Sequence, residues 1–347
     1  MAKEVGRYDD GARWAFISDH NTTKVAVIDT FNFTYVDEIE LKAIPTHMEV
    51  SDVQDLLVYI DGKTSQVYVY DLVKKTHWSI AVSGIPNDLA FHSDDAQLAV
   101  AMTNKIEVIK PFKKEYVTTI EGIESPFSMN FDNGGYNLYV SESNTGNTLV
   151  YRNHDGKKSY ISVGKGPVSE LTLSPDARLA LTSQYSDNSV VIWDLSMGNE
   201  MGHYAFDSTP WRPYVSSDSE HILLASKNGK AKVIESWGGE IVKEFTLSGE
   251  PQSIRTGWIE QIGIIESRKT LDIFDLTDKE PATSVPLSNE LGNVVVVSDS
   301  KTLFATQRNS SKLFVYDIRS KKRLSEIDTK LQAPKLLAMG ITNTVCH

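Results

Sequence analysis

The chain carries eight histidines, and their spacing decides what chemistry they can share. None falls in an H-x-H, H-E-x-x-H or C-x-x-C-H pattern, so no local metal or haem-attachment motif is present. His20 and His47 are the two that the strand pattern places close together. One ends a strand, and the other opens the strand beside it. A copper or haem-iron centre asks for two or more imidazoles at about 2 Å from the metal. These two are therefore the ligands to expect if a metal is held at all. His77, His92 and His203 read as structural residues of turns and outer strands.

Other catalytic patterns are missing. There is no G-x-S-x-G elbow, no P-loop and no G-x-G-x-x-G. Cys346 is the one cysteine, which excludes an internal disulfide and a cysteine-based metal cluster. Asp132-Asn133-Gly134-Gly135 lacks the length of an EF-hand loop and reads as a turn. No catalytic residue is predicted. What remains is a set of recognition residues. Asp88 occupies the place that His47 holds in its own stretch, and Trp211-Arg212 pairs an aromatic ring with a cation, a good recognition surface. The candidates are His20, His47, Asp88, Trp211 and Arg212.

The elements that must position them repeat. Prolines 45, 86, 126, 167, 210 and 251 recur in steps of 40–43 residues, Leu291-Gly292 fills the next place, and Pro334 closes the series. Each leads into a short run such as THMEV, NDLAF or WRPYV. Proline is tolerated there because the first residue of a strand need not donate to the ladder. Residues 167–208 show the unit in full: runs at 170–173, 178–183, 190–194 and 202–206 separated by turn residues. Four short strands in about 40 residues make one blade of a β-propeller. Third strands end in Asp29, Asp71, Asp194, Asp275 and Asp317, where a short acceptor can bond the following turn.

The N-terminus supplies three strands, at 13–18, 24–29 and 35–41. The missing first strand of that blade lies at 334–339. The expectation is an all-β propeller of four-stranded antiparallel blades, eight in number with seven as the alternative, closed by both chain ends in one blade. Residues 1–12 read as an N-terminal extension, 13–340 as one domain and 341–347 as a tail.

Composition bounds the partners. A net charge of −11, with 35 Lys and Arg scattered among 46 acids, argues against nucleic acid, which needs a concentrated basic face. An acidic disc suits a basic protein partner instead. No apolar window is long enough for a transmembrane helix, and the N-terminus lacks the apolar core of a secretory signal. The expected state is soluble in an undetermined compartment: periplasmic or extracytoplasmic if a signal was removed, cytoplasmic otherwise.

The segments LYVSESNTGNTLVY and FISDHNTTKVAVIDT resemble the YVTN family of propeller repeats. VVIWDL after LSPDARLALTS is similar to a WD repeat, without the Gly-His pair that family carries upstream. Eight blades and two histidines are also similar to the haem-carrying propeller of dissimilatory nitrite reductases, which implies a tetrapyrrole over a central channel. Two functions are carried forward. The first is a non-catalytic binding scaffold without cofactor, a subunit of a larger protein complex. The alternative is an oxidoreductase or cofactor-handling propeller with haem or copper in the funnel, in which His20 and His47 are ligands or proton donors and Arg212 pairs with carboxylates.

Overall fold

The computed structural model describes residues 13–340 apart from 95, 164, 258–260, 278–280, 298 and 300; the extension 1–12 and the tail 341–347 lie outside the described residues. The strands form eight four-stranded antiparallel sheets arranged as a ring. We number these blades one to eight from the N-terminus. Blade two covers residues 47–81, blade three 88–121, blade four 126–162, blade five 172–205, blade six 214–246, blade seven 251–286 and blade eight 291–328. Blade one joins Trp14–Asp19, Lys24–Asp29 and Thr34–Glu40 to Pro334–Met339, so eight blades and the shared blade are both observed. Among the described residues no helix is long and apolar enough to cross a membrane.

The apolar runs make the second and third strands the buried middle of every blade. Leu56–Ile60, Leu98–Met102 and His221–Ala225 are buried at every position, whereas the outer strand Lys158–Ser162 is almost wholly exposed. The core is not one mass. It is eight apolar layers, each between two neighbouring blades. Phe304 of blade eight, for example, meets Ala15, Ile17 and Ile28 of blade one. A ring of such layers is stable only when it closes, because each blade buries both of its faces against neighbours.

Turns follow the expected chemistry. Asp71 Oδ1 accepts from the N–H groups of Val73 and Lys74 at 3.0 and 2.7 Å. Asp194 does the same for Ser196 and Met197, and Asp317 for Arg319 and Ser320. Where the third strand of blade four ends in Arg152, Asp155 holds the turn by accepting from Arg152 Nε at 2.9 Å.

Two first strands are shorter than the sequence implies. In blades five and six they shrink to Thr172–Leu173 and Tyr214–Val215, preceded by isolated bridges from Val168 to Gln184 and from Pro210 to Ser226. Pro213 has no N–H for the ladder. Side chains take over instead: Thr172 Oγ1 donates to Pro213 O at 2.7 Å, and Ser183 N donates to Ser169 Oγ at 2.9 Å.

The ring closes at blade one. Ala15, Phe16 and Ile17 pair with Met339, Ala338 and Leu337. Asp19, almost fully buried, accepts from Asn21 N and Thr22 N with one oxygen and from Gln332 N and Ala333 N, at 2.8 and 3.0 Å, with the other. Burial pushes its carboxyl up, but these four donors outweigh that and hold it below the ordinary value. The chain then runs on to bridge Val50 of blade two through Gly340, where any Cβ would overlap the Asp52 carboxylate.

Because its folded pKa is depressed, Asp19 contributes stability that is present above about pH 4 and lost as the pH falls. Asp19→Ala strands four backbone donors and is expected to lower stability by about 3 kcal/mol in denaturant unfolding at neutral pH. The difference from the native chain should shrink toward pH 3. An equal deficit at both pH values would remove the seam role assigned to the carboxylate.

Candidate functional site

Each first strand runs alongside the ring axis, and the period of two decides which side chains face it. Counting from the repeat proline, the second and fourth residues point inward in most blades. Met48 and Val50 of blade two turn away into the core, so His47 and Glu49 are left facing the axis. The inward residues enclose a cavity of about 550 Å³ on the axis. That size is typical of small-molecule sites. Its charged lining is His47, Glu49, Asp88, Asp132, Glu170, Arg212 and Arg255, and its apolar lining includes Phe127, Phe131, Tyr214 and Val295.

The centre of the arrangement is His47. Its Nε2 lies 3.1 Å from Glu49 Oε1 and its Nδ1 lies 3.2 Å from Asp88 Oδ1. Enclosure by the channel walls works to lower its pKa. The hydrogen bond and charge of Glu49, followed by the charges of Asp88 and Glu170, overcome this and raise it to about 8. Asp88 is pushed up to about 6, mainly by burial, against the attraction of His47. Asp88 Oδ2 also accepts from Met129 N at 3.1 Å, so this carboxylate ties blade two through His47 to blades three and four. Near neutral pH the imidazole is a cation gripped at both nitrogens, and the pair titrates as a unit.

On the opposite wall Arg212 is fully engaged. Its Nε donates to Thr172 Oγ1 at 3.0 Å, its Nη2 to Leu171 O at 2.8 Å, and its Nη1 meets Glu170. It is committed to blade five. Arg255 donates Nη1 to Ile254 O at 2.7 Å and lies 5.7 Å from the centre of the Tyr214 ring. Among the described residues no carboxylate sits on it. It is the channel cation open to an anion.

Of the residues that the sequence singles out, His47, Asp88 and Arg212 line the cavity, and the first two touch. His20 does not line it. It is exposed on the turn after Asp19, with its N–H donating to Ala333 O at 2.7 Å. Trp211 packs into the layer between blades six and seven, with its backbone N–H donating to Ala225 O. Glu49, Glu170 and Arg255 belong to the site and were missed. For Glu49 and Arg255 the signal was available, since they stand one pleat further along the same strands; Glu170 precedes the short strand Thr172–Leu173 and breaks that alternation.

These positions bear on metal ligation. His47 is the one imidazole lining the cavity among the described residues. A cation with both nitrogens on carboxylates has no lone pair for a metal. With one imidazole the lining does not offer copper the two or more nitrogen donors it asks for, and an iron held through His47 would have to displace its proton. The lining does fit an organic ligand that needs a flat apolar wall, an anion partner and a proton-bearing group.

Fold and site together define an eight-bladed β-propeller with an ionised axial pocket. No protein-family model matches the chain, and no curated protein matches it. Among solved structures it is similar to the dihydro-heme d1 dehydrogenase NirN in complex with DHE, with a TM-score of 0.78 and 13% identity over 97% of this chain and 77% of that one. At that identity the likeness is one of fold.

Proposed function

We propose that this chain is a tetrapyrrole-handling propeller, in which a macrocycle rests at the channel mouth and His47 is its proton donor and acceptor. The observation that carries this reading is an imidazole with a pKa of about 8, held between Glu49 and Asp88 inside an axial cavity of about 550 Å³. A group protonated at pH 7 and unprotonated one to two units higher is well matched to general acid–base work. The fold likeness to a propeller solved with DHE adds support.

Arg255 would pair with a peripheral carboxylate of the macrocycle, while Phe127 and Phe131 offer apolar surface to the ring. When bound, the tetrapyrrole supplies a conjugated system that accepts or releases protons and electrons. Residues 13–340 are read as one unit, and the YVTN- and WD-like repeats account for its blades without adding chemistry.

The scaffold reading keeps one observation. One face of the disc exposes Phe31, Phe112, Met197 and Trp237, each on a turn between third and fourth strands. Exposed apolar surface on one face suits a protein partner.

The test is a titration of the purified chain with haem and with iron-free protoporphyrin, read by visible absorption. One equivalent of each is expected to bind with micromolar Kd, the two within about tenfold, because no iron–imidazole bond anchors the ring. A chain that binds neither at about 100 μM ends the tetrapyrrole reading and leaves the scaffold.

A further inference from the structure

The turn that leads into the second strand of blade six differs from that of blade five at two positions; blades four and eight also open this strand on a polar residue, Asn137 and Thr302. In blade five Ser174 Oγ donates to Asp176 Oδ1, Arg178 follows, and Leu179 enters the strand fully buried. Leu56 and Leu98 open the corresponding strands of blades two and three, also fully buried. Blade six keeps the serine–aspartate pair as Ser216 and Asp218. It then places Glu220 where blade five has Arg178, and His221 where blade five has Leu179.

That exchange is costly on its own. His221 is 8% exposed, and its Nδ1 has no hydrogen-bond partner among the described residues. Buried polar atoms are seldom left this way without a reason. One ring nitrogen of His221 and one carboxylate oxygen each from Asp218 and Glu220 lie within 4.8 Å of one another. Asp218 is already positioned: Gln261 Nε2 from blade seven reaches its Oδ2 at 2.7 Å, and Glu220 N donates to its Oδ1 at 3.0 Å.

We propose that Asp218, Glu220 and His221 form a binding site for a divalent transition-metal ion, Zn²⁺ foremost, where the turn between the first and second strands of blade six enters the second strand. One imidazole with two carboxylates and an open fourth position is a zinc donor set, and an imidazole disfavours Mg²⁺ and Ca²⁺. Ligand atoms about 2 Å from zinc stand about 3.4 Å apart in a tetrahedron. Glu220 is exposed and can swing to close the remaining gap.

The test uses the full chain, stripped of metal and titrated with Zn²⁺ alone by calorimetry, with Co²⁺ replacing it to read coordination number from the visible spectrum. One Zn²⁺ per chain is expected at micromolar Kd, with an upward shift of the melting midpoint. Ca²⁺ should bind about 100-fold more weakly. His221→Leu, which restores the residue of blade five, should keep the fold and lose about 100-fold in Zn²⁺ affinity. Glu220→Arg, on an exposed side chain, should do the same and stands in if the first variant folds poorly. A native chain that takes up no Zn²⁺ overturns the proposal. So do two variants that bind it as tightly as the native chain.

Discussion

Removal of residues 334–347 is expected to abolish cooperative folding of the whole ring, an effect far larger than the length of the segment suggests. Pro334–Met339 is the first strand of blade one, and its loss leaves Ala15–Ile17 as an unpaired edge at the axis. Leu337 and Met339 belong to the layer between blades eight and one, while Ala338 and Leu336 pack into the layer between blades one and two. Two of the eight layers are opened at once. Each large buried side chain in such a layer contributes about 2–5 kcal/mol, against a typical net stability of about 5–15 kcal/mol. Gln332 and Ala333, which donate to Asp19, would become the last residues of the chain and lose the strand that holds them in place. Calorimetry of the truncated chain should show no sharp transition. A permuted chain, with its old ends joined and new ends cut between blades four and five, should melt within a few degrees of the native protein. A truncated chain that melts like the intact one would show that the seam is not what closes the ring.

That seam was legible because proline spacing counts blades without any knowledge of contacts. The place of Leu291 in the series was read from register alone, and blade eight does begin there. The limits are equally physical. A sequence shows the pleat of one strand but not the distance between neighbouring blades, so the contact of His47 with Asp88 had no signature. The alternation that exposes His47 to the axis also exposes Glu49, yet attention to the residues next to each proline stopped one pleat short. His20 lies away from the cavity for another reason. Its strand ends at Asp19, whose side chain turns back to the seam, and the histidine is left on the outer turn. Blade six keeps its first strand within the run WRPYV, but Pro213, without an N–H, leaves only Tyr214–Val215 in the ladder.

The second large effect concerns protonation in the axial cavity. His47 titrates near 8 in the folded chain and near 6.5 when unfolded. The folded state therefore keeps a proton that the unfolded chain releases between those values. Its contribution to stability is complete below about pH 6.5 and is lost as the pH rises through 8. Asp88, pushed up to about 6 chiefly by burial, also holds an extra proton in the fold, between about pH 4 and 6. Stability from this second source declines over that lower window.

Asp88→Asn removes one of the two carboxylates that grip the ring, and the imidazole should then titrate at least about half a unit lower in an NMR pH series. His47→Gln should erase the fall in melting midpoint between pH 6.5 and 8. It should also flatten macrocycle binding, which in the native chain is expected to weaken about tenfold from pH 7 to 9 as the cation is lost. If turnover of a tetrapyrrole substrate is found, the same variant should cut it by about 100-fold or more, the scale of a positioned acid–base group. An imidazole that titrates at 6.5 in the native chain and ignores Asp88→Asn would mean that the two carboxylates do not hold its proton. The channel would then have a recognition surface but no acid–base group.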